Sequence, residues 1–474
     1  MEGIPQSDLP QTFKDAIVVT RALGIDYIWI DSICIIQKDE EDWARESSQM
    51  YDVYKNAYVT LAGVHAYDSS QGLLSSPDRV PFRELCQVRL GIKGYYHTLK
   101  FGPQCPQFHD WAEGNLPVHA PLFTRAWCYQ ERLVSPRVLF FTTQELVWEC
   151  NENATCVCQP TNPRDGLPFN KYLTCPKSSY SQALRSAMQR SDFPSDELIP
   201  VWHDIVTNFT TLAITNEADR LPAIGAITQS LLPSRPADEY CAGLWLRTLL
   251  HDLTWYSTDP SAPRSPAFAS NEAPSWSWAS LQRPVRFSRT GEDVYKMVGC
   301  KEIYSRDNAL DSPFGMCYNA RLHLKGWSLA GHLSMATEAQ SSKPIYQLGN
   351  LPGGLLSPQS DDIYSDFAVF SSGQSVDVSL LFICEILGGL GTDAVPKRPN
   401  PGVLDPFSAF EDMPFMSCII LRRSEKPTPR FAVTSETDAL QLWERIGIVK
   451  FTTGFRTEID RVFGAALEEE FIIV

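Results

Sequence analysis

The run Arg125-Ala126-Trp127-Cys128-Tyr129-Gln130-Glu131-Arg132-Leu133 holds the densest chemistry in the sequence. On a helix Trp127 and Glu131 stand one turn apart and share a face. A tryptophan wall beside a carboxylate can stack a ring and stabilise a developing oxocarbenium charge, which glycosyl-bond cleavage requires. Desolvation by the indole would also raise the pKa of the acid. The plainer alternative makes Trp127 a core residue and pairs Glu131 with Arg125 or Arg132.

A second segment, Tyr27-Ile28-Trp29-Ile30-Asp31-Ser32-Ile33-Cys34-Ile35-Ile36-Gln37, ends an apolar run on a carboxylate. Asp31 falls where a strand's carboxyl end opens into a ligand-binding loop in an open α/β sheet. There it either holds a ribose hydroxyl or caps the next turn with its own side chain. The usual nucleophile and cofactor patterns are missing: the sequence has no GxSxG, Walker loop, GxGxxG or HExxH. Cys150, Cys156, Cys158 and Cys175 cluster loosely, but their spacing matches no common zinc knuckle, so no metal and no bound cofactor is expected.

The elements that must position these groups read clearly over the first 65 residues. Leu9-Pro10 opens a helix carrying Phe13, Ala16, Ile17 and Leu23, with Gly24 as its cap. Tyr27–Ile30 has the length and apolar continuity of a strand covered on both faces. Helical spacing returns over Asp39–Asn56 through Trp43, Ser47, Met50, Tyr51 and Tyr54, and Tyr58–Ala62 reads as a second strand. Helix, strand, helix, strand predicts α/β with a parallel sheet. An irregular polar stretch, Ser69–Pro121, precedes a short helix over Thr124–Leu133 and strands over Arg137–Phe141 and Gln144–Cys150.

The expected domains are 1–150, a helical extension at 176–256 and a β-rich region at 270–474. Proline clusters (Pro160, Pro163, Pro168, Pro176, then Pro260, Pro263, Pro266, Pro274) mark the joints. Strand candidates in the last region are Ala320–Leu324, Ser379–Ile386, Cys418–Arg422 and Ile446–Phe451, with a closing strand at Trp443–Gly447. Ser341–Ser365 and Asp393–Pro406 read as long surface loops, and Trp276 and Trp278 as sandwich or barrel core.

Composition limits the function classes. The 474 residues carry 41 basic against 56 acidic side chains, a net charge of −15, which disfavours nucleic-acid backbones as partners. No apolar stretch is long enough to span a bilayer, and the first 20 residues lack the pattern of a secretory signal. Thirteen scattered cysteines fit reduced thiols, so a cytoplasmic protein is expected.

Several blocks, taken in order, resemble the HET (heterokaryon incompatibility) domain family of filamentous fungi. They are LP-x-T-x-x-DA with V-x-x-LG, YIWIDSICIIQ, DW-x-x-E-x-x-x-M-x-x-VY-x-x-A and GL, followed by RAWCYQE and LVSPRVLFF with WEC. Weaker likeness to the extension commonly attached to that domain continues through Asp219–Ala223, Ala242–Trp245 and Ala273–Ser280. The resemblance implies self/non-self recognition and programmed cell death, with a protein partner or allelic incompatibility factor.

It also implies a distant Toll/interleukin-1-receptor (TIR) likeness, hence a mostly parallel sheet, and NAD as a substrate split at its glycosidic bond. The TIR pattern W-C-x-x-E falls on Trp127, Cys128 and Glu131, making Glu131 the candidate catalytic residue; beside it, Asp31, Trp127 and Arg125 are the candidate ligand-binding residues. One departure stands out. Family members open with a strand and an SY-x-WG-type turn, whereas this chain reaches its first helix almost at once. A truncated gene model or a degenerate copy would leave the sheet without its first strand. A non-catalytic interaction or gene-cluster accessory protein is therefore the other expectation.

Overall fold

A computed structural model describes residues 3–74, 86–92, 95–101, 120–142, 146–152, 154–156, 176–189, 195–259, 265, 273–288, 295–297, 302–304, 320–336, 345–349, 351, 363–366, 374–386, 415–424, 441–452 and 465–474. Cys158, Cys175, Gln144, the prolines from Pro160 to Pro168 and from Pro260 to Pro266, and the loop Asp393–Pro406 lie outside the described residues. The chain divides into two compact units. One comprises residues 1–198, 212–215 and 222–236; the other comprises 199–211, 216–221 and 237–474. The helical stretch 176–256 supplies elements to both.

In the first unit, α1 (Gln11–Ala22) starts behind Pro10 and stops at Gly24, which takes a φ of 70° at the helix end. That left-handed conformation suits glycine because it has no Cβ to clash. Among the described residues the apolar run Tyr27–Ile30 joins no strand ladder, and Tyr27 is 89% exposed. It leads into a single helical turn, α2 (Asp31–Cys34). α3 (Glu40–Asn56) is capped by Asp39, whose carboxylate accepts from the Asp42 amide at 3.0 Å. The segment expected to be irregular contains a hairpin, β2 (Cys86–Ile92) with β3 (Tyr95–Phe101).

The sheet of this unit runs β1 (Thr60–Gly63), β4 (Arg137–Phe141), β5 (Leu146–Cys150), β6 (Ala154–Cys156). Only β1 and β4 are parallel; β4–β5 and β5–β6 are antiparallel. Among the described residues the expectation of a mostly parallel sheet is therefore corrected. The short connections after β4 and β5 can join antiparallel neighbours, whereas a parallel pair needs a crossover of a dozen residues or more. Side chains alternate across the sheet: Ala62, Val138, Phe140 and Val147 pack on one face, and Leu61, Leu139, Phe141 and Leu146 gather with Ala16 and Leu73 on the other.

Asp15 ties two of the sequence blocks together. It is buried in α1, and its carboxylate accepts from the amides of Leu73 at 2.7 Å and Leu74 at 2.9 Å and from the Gln11 side chain at 2.7 Å. Removing it orphans two amides beside the core. Asp15→Ala should therefore lower stability by about 3 kcal/mol, with Asp15→Asn intermediate, as read by urea unfolding.

In the second unit the strands close on themselves. β13 (Arg321–Ala336) pairs through Leu322–Ser328 with β19 (Leu467–Ile473) and through Ser328–Ser334 with β16 (Ser375–Ile386). β17 (Phe415–Arg423) and β18 (Leu442–Thr452) complete the ring, and β18 meets β19 in a short parallel pairing. All four strand candidates of the β-rich region lie in this five-stranded barrel. Its centre is apolar, with Leu324, Leu381, Ile419, Ile448 and Phe471, which the register places on one face, nearly inaccessible. The segment expected to be a loop over Ser341–Ser365 contributes two short strands, Ile345–Gly349 and Ile363–Ser365. Trp276 and Trp278 are buried; the Trp278 indole donates to the Gly243 carbonyl at 2.9 Å, and Gly243 itself has a φ of 93°.

Candidate functional site

The site is built around α4 (Ala126–Val134). One stripe of this helix, Ala126, Gln130 and Leu133, is buried at 2% exposure each. The Gln130 side chain accepts from the Ala226 amide at 3.0 Å, anchoring α4 to the helix Pro222–Leu231. Arg132 grips Glu149 of β5 through two charge-assisted bonds of 2.7 and 2.6 Å. The Lys177 ammonium donates to the carbonyls of Arg132 and Ser135 at the helix's C-terminal end, where positive charge is favoured. These ties hold the helix and leave Trp127, Cys128 and Glu131 directed elsewhere.

Glu131 is partly buried and is not paired to Arg132, which is engaged with Glu149. Its carboxylate lies within electrostatic reach of the Tyr54 hydroxyl of α3, the Cys128 thiol, Asp31 and Arg125. Desolvation is the largest influence and Asp31's negative charge the second; together they push the acid up to about 7 from an ordinary 4.5. Arg125, the Tyr54 hydroxyl and the Cys128 thiol act in the opposite direction without cancelling it. The same surroundings raise the Cys128 thiol and the Tyr54 phenol, in both cases chiefly through burial. Both therefore stay protonated at neutral pH.

The structure places the four residues named from sequence as follows. Asp31 is the first residue of the α2 turn, with its carboxylate accepting from the adjacent Ser32 amide at 2.7 Å, and it lies within electrostatic reach of Glu131. Arg125 is the exposed residue preceding α4; the chain on either side is fastened to Ala213, Ala126 N to Ala213 O at 3.0 Å and Ala213 N to Thr124 O at 2.7 Å. Trp127 lies one turn before Glu131, and its ring meets Trp43 edge-on at 6.4 Å between centroids. Asp31, Arg125 and Glu131 are thus brought together, with Trp127 flanking them on the same helix.

Sequence reasoning missed Tyr54, Cys128 and the two indoles Trp29 and Trp43. Trp29 meets the Tyr54 ring edge-on at 5.8 Å. The signal was present in the Trp43, Ser47, Met50, Tyr51, Tyr54 spacing, which reads equally well as an ordinary packing stripe. Among the described residues no group of three or more His, Cys, Asp or Glu side chains is placed to hold a metal ion. Nor is any helix among them long and apolar enough to cross a membrane.

Residues 2–131 match the model of the heterokaryon incompatibility protein (HET) family. This stretch is similar to the HET domain. The match covers α1, α2, α3 and β1 and ends on Glu131 itself, so the groups around that carboxylate all belong to the matched segment. No curated protein and no solved structure matches the chain. The Asp15 tether between α1 and the Gly72-Leu73 turn also lies inside the matched stretch.

Proposed function

We propose that this chain is a heterokaryon-incompatibility-type protein, acting in fungal self/non-self recognition and programmed cell death, with Glu131 as its effector group. The observation that supports this most directly is the gathering of Asp31, Tyr54, Arg125 and Cys128 about the carboxylate on which the HET match ends. A desolvated acid beside aromatic surface suits cleavage of a glycosidic bond, and the TIR likeness names NAD as the substrate.

The chemistry needs little from the protein beyond charge placement. The bond between the ribose anomeric carbon and the nicotinamide nitrogen breaks, and its electron pair leaves with the ring as neutral nicotinamide. No acid is needed for that departure. Glu131 as a carboxylate faces the oxocarbenium charge that develops, then takes the proton of the water that adds to the sugar. Arg125 supplies positive charge for a phosphate, and the Trp127 and Trp43 rings supply aromatic surface. A protein partner or allelic factor provides the trigger.

The test is NAD content and viability in fungal cells induced to express the chain, beside a Glu131→Ala copy. NAD loss and death with the unaltered chain alone support the reading. Death with both copies would move killing to binding or assembly. Survival with both, at equal levels of folded protein, would favour a non-catalytic accessory role.

A further inference from the structure

We infer that the outer side of the segment Tyr27–Ile36 is a docking surface for a protein partner, which meets it with a segment combining apolar and basic side chains. The inference deepens the function proposed above, from which it takes only that a protein partner exists, and it gives that partner a surface and a chemistry. Tyr27 is 89% exposed and Ile36 62%, with Ile28 and Ile33 also open to solvent. Large apolar side chains on a surface are ordinary singly, whereas several within ten consecutive residues mark an interaction site.

This exposure does not come from a loose chain. The Trp29 ring packs edge-on against Tyr54, near the C-terminal end of α3. The Ile36 amide donates at 2.7 Å to the carboxylate of Asp42, which is buried near the N-terminal end of the same helix. Those two anchors are about 18 Å apart along the helix, so the segment runs beside α3 and is held at both ends. Between them the Ile33 and Cys34 amides donate to the Ile30 carbonyl, and the Ile35 amide donates to the Asp31 carbonyl, which fixes the α2 turn. Trp29, Ile30 and Ile35 are partly covered, while Tyr27, Ile28, Ile33 and Ile36 stay open. Trp43, exposed on the first turn of α3, carries the apolar surface on to Trp127, whose ring it meets.

Charge selects the occupant. Among the described side chains, the exposed ionisable groups along residues 26–41 are Asp26, Asp31, Lys38, Asp39 and Glu41, one base against four acids. Arg45, the next base, is engaged by Asp42 and Glu46. A second copy would set acid against acid on a chain of net charge −15, and an anionic membrane surface would be repelled likewise. A partner segment with aliphatic and Lys or Arg side chains covers the apolar row and neutralises its rim. Asp31 belongs both to this rim and to the surroundings of Glu131, which puts a docked base next to the candidate site.

The probes are three labelled peptides, one built from leucine and lysine, one from leucine and glutamate and one from serine and lysine. Each is titrated with the folded full-length chain by fluorescence anisotropy. The leucine–lysine peptide should bind tightest, and the double change Tyr27→Ser, Ile36→Ser should weaken it by at least about tenfold. Asp26→Lys with Glu41→Lys should move the preference toward the leucine–glutamate peptide. Equal binding of all three peptides, or unchanged affinity in the folded variants, would overturn the inference. Self-association in sedimentation, or binding to anionic vesicles, lost in the serine variant would give the surface to a second copy or a membrane and overturn it too. Should the serine variant fail to fold, the lysine variant decides. Because the readout is binding, absence of NAD cleavage would count against Glu131 as the acting group and leave this result standing, and absence of peptide binding would leave Glu131 untouched.

Discussion

Replacing Glu131 by Gln should abolish NAD cleavage and, at neutral pH, make the protein more stable. The amide keeps the shape, but it can neither face the oxocarbenium charge nor take a proton from water. A loss of at least about a hundredfold in rate is expected for a positioned general base. The stability gain follows from linkage. In the folded chain the acid titrates near 7, against 4.5 ordinarily, so the folded state holds a proton that the unfolded state has released across that window. The unaltered protein therefore loses stability as pH rises from 4.5 to 7, the reverse of the usual salt-bridged carboxylate. The loss is at most about 3 kcal/mol, because partial exposure lets water relieve some of it. Glu131→Gln does not ionise and escapes that loss, so its urea midpoint should exceed the unaltered protein's at about pH 8 and converge with it below about pH 4. The cleavage rate of the unaltered protein should rise with pH through about 7 and then level off. A destabilised or fully active variant would remove Glu131 from the mechanism.

The same carboxylate shows what the sequence could and could not disclose. The turn-to-turn spacing of Trp127 and Glu131 was readable because a helix converts spacing into shared direction, and α4 is a helix where one was expected. Tyr54 was not readable as a partner. Its hydroxyl matters only through the packing of α3 on α4, and spacing within α3 says nothing of that contact. Helices with their own stop signals came through well: Gly24 ends α1, and Asp39 begins α3. Tyr27–Ile30 shows the opposite case. It has the composition of a buried strand, yet a strand also requires a ladder partner, and an apolar run does not specify one. In the barrel four of the five strands were legible through their apolar stretches, whereas β19, with its run of glutamates from Glu468 to Glu470, was not expected. The barrel's closure was not legible either, since it depends on β13 being long enough to serve β19 with one half and β16 with the other.

Truncating Asp366 to Ala should unfold the second unit at markedly lower urea concentration, at a cost of about 3–5 kcal/mol. Asp366 is the counter-charge of Arg445, a β18 residue with no accessible surface. Arg445 Nε donates to the Asp366 carboxylate at 2.9 Å and Nη1 to the Leu253 carbonyl at 2.8 Å, while Nη2 donates to the Trp255 carbonyl. The guanidinium also lies 3.5 Å from the centre of the Trp255 ring, and the Arg445 amide donates to the Ser275 hydroxyl. One side chain thus joins a barrel strand to the segments at 253–255 and 366 within the same unit. Burial disfavours its charge and Asp366 is what opposes that, so the charge without the carboxylate is left uncompensated. Arg445→Met should cost a comparable amount, because Asp366 and two carbonyls would then be stranded. The double variant Arg445→Met, Asp366→Leu buries no charge and should cost no more than either single change, a coupling of about 3 kcal/mol. Additive losses would show instead that the pair is two independent packing residues. The Glu131 titration, which belongs to the other unit, gives an internal control: it should keep its midpoint in every one of these variants.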